Sequence, residues 1–195
     1  MDREALEHAV ERAYSAAAES PRARHPFPVG EGFAREAGYG EELLASIPAA
    51  AIEAFAGVSN VAVQAPIAAG DRVLDLGCGA GLDSIAAARR AGAGGVVAGL
   101  DFSRAMLERA RAAAAEARAG NVHFVLGSAA LLPLPGAWAD AALVNGIFNL
   151  NPNRAAIFAE LARVVRPGGV VCGAELILTA PLPDTERGSP SSWFA

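Results

Sequence analysis

The pattern of apolar and polar positions divides the chain in two. Over residues 2–19, Leu6, Val10, Ala13 and Ala17 return at helical spacing with Glu and Arg opposite, which predicts a helix. Pro21, Pro26 and Pro28 break that period, so ARHPFPVG reads as an extended loop. EELLASI, closed by Pro48, and AAIEAFAG predict two short helices. From Arg72 onward short apolar runs alternate with longer helical periods. The strands are expected in RVLDLG, GGVVAGLD, VHFVLGS, ADAALVNG and VVCGAELIL. The helices between them are LDSIAAARRA, then SRAMLERARAAAAEARAG with Ser103 as its cap and Gly120 past its end, then NRAAIFAELARVVRPGG with Pro167-Gly168-Gly169 as its stop.

Strands alternating with helices predict an α/β fold built on a mostly parallel, doubly wound (Rossmann-like) sheet. Five strands are visible, in the expected order 3-2-1-4-5. Ligands of such sheets bind outside the carboxyl ends of the strands, where the order reverses. That places the site at the turn after the first strand. The expected organisation is a helical lid or cap over 1–68, a ligand-binding domain over 69–178 and a proline-containing tail over 179–195.

Composition narrows the function. The 195 residues are 53% hydrophobic and 19% charged, which fits one globular domain. The net charge is −5 with no basic block, so no nucleic-acid partner is expected. All sixteen basic residues are arginine, which removes Schiff-base and P-loop lysine chemistry. Two cysteines, Cys78 and Cys172, fit a reducing compartment. The charged N-terminus is unlike a signal peptide, and no long uncharged apolar run suggests a membrane span. A cytoplasmic location is expected, and no metal site.

The chemistry sits in VLDLGCGAGLD. Gly77, Gly79 and Gly81 form G-x-G-x-G, whereas the dinucleotide fingerprint is G-x-G-x-x-G. Asp75 lies just upstream, where a carboxylate repels phosphate and suits a cation. Asp101 closes the second strand, placed to reach ribose hydroxyls, and Phe102 follows to lie on a purine. An acid at the turn, glycines for close approach and an acid for ribose together describe a site for S-adenosylmethionine, which carries a sulfonium and an ammonium and no phosphate. Asp83 reads as a first-turn helix acid, Cys78 as a small side chain at the turn, and Cys172 as a buried strand residue.

These motifs resemble class I S-adenosylmethionine-dependent methyltransferases. VLDLGCGAG is similar to the family's first motif, GLDFSRAML to its second, VLGSAALLPLP to its third region and RVVRPGGVV to the turn into the fifth strand. A closer resemblance, to the arsenite methyltransferase branch, rests on GYGEELLASIP, AGVSNVAVQAPIAAGDRVLDLGCGAGLD and NGIFNLNP. It implies that Tyr39 lies over the cofactor and that Asp75 and Gly77 hold the methionine portion. It implies Met106 near the adenine, Gly127, Ser128 and Ala129 around the adenine edge, and Asn145 and Asn149 on the methyl-transfer side.

Several positions depart from that branch. Val58 and Gly146 stand where it carries cysteines, and a further cysteine would lie beyond Ala195. Trivalent arsenic needs thiolates, so arsenite is not the expected acceptor. Ser128 replaces an acid that bonds the adenine amino group. The terminal antiparallel pair of strands is not apparent, which leaves the fifth strand as an apolar edge for self-association or a covering partner. The expected function is methyl transfer to a small-molecule acceptor. His25, Glu41 and Tyr39 are the candidates to take a proton, with Asn149, Glu41 and His25 in the acceptor pocket. The alternatives are a non-catalytic or truncated cofactor-binding domain and, behind it, a nicotinamide-dependent oxidoreductase.

Overall fold

A computed structural model describes residues 3–178. Five helices come first: α1 (Arg3–Glu19), α2 (Glu31–Glu36), α3 (Glu41–Ser46), α4 (Ala49–Ile52) and α5 (Val61–Gln64). The remaining elements are β1 (Arg72–Leu76), α6 (Leu82–Ala91), β2 (Val96–Asp101), α7 (Arg104–Glu116), β3 (Val122–Leu126), β4 (Ala139–Asn145), α8 (Arg154–Val164) and β5 (Val165–Ala174). All strand pairs are parallel and the order is β3-β2-β1-β4-β5, as the alternation predicts.

Strand periodicity sorts the core. Val73, Val97, Ala141 and Leu143 face α6, α7 and the N-terminal helices. Leu74, Leu76, Ala142 and Val144 face the other way, onto Ile157, Leu161 and Val164 of α8. No helix joins β3 to β4. Leu132, Leu134 and Trp138 of that connection fill the second face instead. Ser103 caps α7, its hydroxyl accepting from the Met106 N–H at 3.3 Å.

Several element bounds differ from expectation. The helix expected over AAIEAFAG closes after Ile52. Helices α2 and α5 have no distinct periodic signal, being six and four residues long. The last helix stops at Val164, and Pro167-Gly168-Gly169 lies inside β5. A proline is tolerated there because among the described residues β5 is an edge strand, paired with β4 alone and with a register shift opposite Ala139–Ala141. The strand ends at Ala174, short of Leu178. Val170 and Val171 are 39% and 46% exposed, so the expected apolar edge is present among the described residues. The tail over 179–195 lies outside the described residues.

Candidate functional site

The carboxyl ends of β1, β2 and β4 open into a cavity of about 380 Å³. The turn after β1 reaches across to β2, where Gly77 N–H and Cys78 N–H both donate to the Leu100 carbonyl at 2.8 and 3.0 Å. Gly77 has φ +75°, and a Cβ there would stand 2.4 Å from Ile147 Cγ2. Only glycine lets the β4 exit pack on this turn.

Three buried carboxylates lie in the cavity wall: Asp75, Asp83 and Asp101, each at most 6% exposed. Asp75 accepts the Ser84 hydroxyl at 2.5 Å. Burial, then the charge of Asp83, pushes its carboxyl up to about 8. Asp101 accepts the Gly79 N–H at 2.9 Å and the Ser103 N–H at 2.8 Å. Burial still pushes it up to about 6. Two accepted bonds leave lone pairs free for further donors. Burial raises Asp83 too, against the bonds it receives from Tyr39, Asn145 and the Ala62 N–H. Among the described residues no arginine lines the cavity and no ion pair uses these acids. The site gathers three carboxyls whose burial makes full ionisation costly, and a cationic ligand favours their charged forms.

Of the residues expected at a cofactor, the cavity wall gathers Asp75, Gly77, Cys78, Gly79, Asp101, Phe102, Met106, Gly127, Ser128, Ala129 and Asn145. Gly81 stands one step behind, as the left-handed N-cap of α6. Tyr39 is buried outside the wall, its hydroxyl donating to Asp83 at 2.5 Å. Cys78 is buried and its thiol is held well up by burial, which suppresses thiolate chemistry.

The three acceptor-pocket candidates lie elsewhere. Glu41 is on the surface in an ion pair with Arg35 at 2.6 Å. His25 stacks along Phe27 and bonds the Ser20 carbonyl at 2.9 Å. Asn149 donates to the Leu176 carbonyl. Chain position suggested His25 and Glu41, and the resemblance Asn149, but each is bonded to a neighbour and none is in the cavity wall.

Residues not singled out from sequence complete the wall. Helix α1 contributes Glu7, His8, Val10, Glu11 and Tyr14. Tyr14 stacks on Phe27 at 4.4 Å and stands edge-on to Phe102 at 6.3 Å. The signal was available, since Tyr14 falls on the stripe of Val10 and Ala17. Asp83 gave none beyond its place in a helix first turn. Phe55, Ala56 and Gly57 form another part of the wall. Among the described residues no three His, Cys, Asp or Glu side chains cluster to hold a metal ion, and no helix is long and apolar enough to cross a membrane.

Comparison with known proteins agrees with this geometry. Residues 67–192 match the methyltransferase domain family. The chain is 38% identical over 136 residues to an arsenite methyltransferase of Halobacterium salinarum, covering 70% of this chain and 35% of that protein. It is 37% identical over 101 residues to a demethylmenaquinone methyltransferase of Lactococcus lactis, covering 51% and 40%. The solved structure of an arsenic (III) S-adenosylmethionine methyltransferase from Chlamydomonas reinhardtii superposes with a TM-score of 0.63 at 32% identity, covering 84% of this chain and 54% of that one. The chain thus spans between about a third and a half of these relatives' lengths. With its sheet order, glycine turn and strand-end acids, the chain belongs to the methyltransferase domain family, among the class I S-adenosylmethionine-dependent methyltransferases.

Proposed function

We propose that the chain holds S-adenosylmethionine and transfers its methyl group to a small-molecule acceptor. The observation that carries this reading is the set of three buried carboxylates on one cavity with no lining arginine. A nicotinamide dinucleotide would bring phosphates to Asp75, adding charge of the same sign as the carboxylate, whereas a cation favours its ionised form. The bound cofactor supplies a methyl group activated by a positive sulfur. The chain's residues bind, orient and exclude water. Asp101 offers its remaining acceptor sites to ribose hydroxyls, and Phe102 an aromatic face to adenine. The glycine turn allows close backbone approach, and Asp75 faces the cationic end. In-line displacement then depends on alignment in a water-poor cavity.

The acceptor is read as small because the cavity of about 380 Å³, within the ~300–1,000 Å³ typical of ligand pockets, has to hold the cofactor as well. We infer that it is not arsenite. The resemblance puts two of that branch's cysteines at the positions of Val58 and Gly146, and a Cβ on Gly146 would stand 3.2 Å from Val58 Cγ1. They adjoin, and neither has sulfur. The expectation of a partner or second copy at the edge of β5 keeps its support in the exposure of Val170 and Val171.

Calorimetric titration with S-adenosylmethionine, S-adenosylhomocysteine and NAD tests the cofactor. Binding of the first two alone is expected; binding of NAD alone, or of none, would overturn the reading. An acceptor panel that includes arsenite follows, and arsenite-dependent methyl transfer would refute the second inference. Cofactor binding with no turnover on any acceptor would favour the non-catalytic alternative.

A further inference from the structure

Behind the cavity, one side chain ties together four stretches of chain. Asp83 Oδ1 accepts the Tyr39 hydroxyl at 2.5 Å and the Ala62 N–H at 3.0 Å. Its Oδ2 accepts the Asn145 side-chain N–H at 2.8 Å. Asn145 in turn grips the strap that leads into α5. Its Oδ1 accepts the Val58 and Ser59 N–H groups at 2.8 and 3.2 Å, and its Nδ2 donates to the Ser59 carbonyl at 2.7 Å. The Tyr39 hydroxyl also lies 3.2 Å from that carbonyl. The strap fits closely, because a Cβ on Gly57 would meet Asn145 Nδ2 at 2.5 Å. Residues 55–57, which lead into the strap and include its first residue, are cavity wall.

We propose that Asp83 is a positioning residue, latching residues 57–62 onto the end of β4 so that the strap closes the cavity wall behind a bound ligand. This deepens the proposed function, on which its ligand-binding half rests. Asp83 and its bonds to Tyr39 and Ala62 are buried, the bonds through Asn145 are part-buried, and every donor to Asp83 comes from a segment distant in sequence. Removing the carboxylate therefore frees the strap while leaving the glycine turn bonded to Asp101. The latch acts through the wall, so it governs how fast a ligand leaves rather than how fast it arrives.

The experiment compares wild type, Asp83→Asn and Tyr39→Phe by amide hydrogen exchange and by stopped-flow binding of S-adenosylhomocysteine. In Asp83→Asn, the Val58, Ser59 and Ala62 amides should exchange about tenfold faster while Gly79 is unchanged. S-adenosylhomocysteine should leave about tenfold faster with its association rate within about twofold of wild type. Asp83 itself lines the cavity, so Tyr39→Phe, whose side chain lies outside the wall, separates the latch from the loss of a wall carboxylate. It keeps the Ala62 and Asn145 bonds, should shift both readouts in the same direction by less, and carries the test if Asp83→Asn does not fold. Unchanged strap exchange would overturn the latch, as would equal acceleration at Gly79, which marks general loosening. Normal dissociation with a freed strap would overturn its role in ligand retention. If wild type binds no S-adenosylhomocysteine, the cofactor reading falls, and the retention role falls with it.

Discussion

The two sides of the cavity are built from different kinds of contact. At the glycine-turn side, Asp101 bonds Gly79 and Ser103, which lie 22 and 2 residues away. At the strap side, Asp83 bonds Tyr39, Ala62 and Asn145, which lie 44, 21 and 62 residues away. Both acids are buried and both are pushed up by burial. Asp101 is held within the first strand–helix–strand unit, Asp83 by segments on both sides of that unit. The first side therefore forms with β1, α6 and β2, whereas the second exists only once the N-terminal segments and β4 have docked.

The sharpest test of that contrast is Asp101→Ala. It removes the acceptor proposed for ribose and also frees two turn N–H groups. Hydrogen bonds to a charged group are worth about 1.5–3 kcal/mol each, so S-adenosylhomocysteine affinity should fall roughly 30-fold or more. Calorimetric titration measures it. Unchanged affinity would mean that the ribose binds elsewhere and that the glycine-turn side is not the nucleoside side.

Glycine substitutions probe the same contrast through packing. Gly77→Ala sets a Cβ 2.4 Å from Ile147 at a backbone of φ +75°, so it incurs both strain and overlap. A loss of about 1–3 kcal/mol is expected, or roughly 2–4 °C of melting temperature per kcal/mol. Gly57→Ala meets only the Asn145 side chain. That side chain can turn away, so the thermal loss should be smaller and the main effect should be a loosened strap. Equal melting losses would show that the strap packs as rigidly as the turn.

The acids also set a pH dependence. Asp75 and Asp101 are held above the ordinary aspartate value, to about 8 and about 6. The folded chain therefore keeps protons that the unfolded chain gives up near pH ~4. Their favourable contribution is complete below that pH and is lost as pH rises through 6 and then 8. Asp140 and Glu160 shift down, chiefly through hydrogen bonds from Arg166 and Arg163, so their contributions are lost only on acidification below the ordinary carboxylate range. Between pH 5 and 8.5 the ligand-free protein should lose a few degrees of melting temperature, roughly 2–4 °C per kcal/mol. A cationic ligand should bind more tightly over the same window. A flat or rising melting curve would show that these acids are ionised throughout.

Much of the glycine-turn side was legible in the chain. The strand order, the turn, Asp75, Asp101 and the Ser103 cap all follow from patterns a few residues long. The strap side was not. Asn145 and Tyr39 were marked through resemblance, but their shared partner Asp83 looked like an ordinary helix acid. Nothing in LDSIAAARRA says that its first turn will be covered by α5 and Tyr39. The stop of α8 was misplaced for a related reason. Pro167-Gly168-Gly169 reads as a helix terminator, whereas sheet pairing with β4 already takes the chain over at Val165.

The smallest effect expected is at Glu41, which sequence position put in the acceptor pocket. The structure sets it in a surface ion pair with Arg35, which also holds Glu31 at 2.8 Å. The Arg35 hydrogen bond keeps the Glu41 carboxyl below its ordinary value, a local effect in open solvent. Exposed pairs contribute little, and Arg35 keeps a second partner when Glu41 is neutralised. Glu41→Gln should therefore leave S-adenosylhomocysteine affinity within about twofold of wild type and change melting by no more than about 1 °C. A larger loss of affinity would place α3 over the cavity in the bound state. The cap would then have to move on binding, and the strap side would be a gate with a range of motion wider than its latch alone requires.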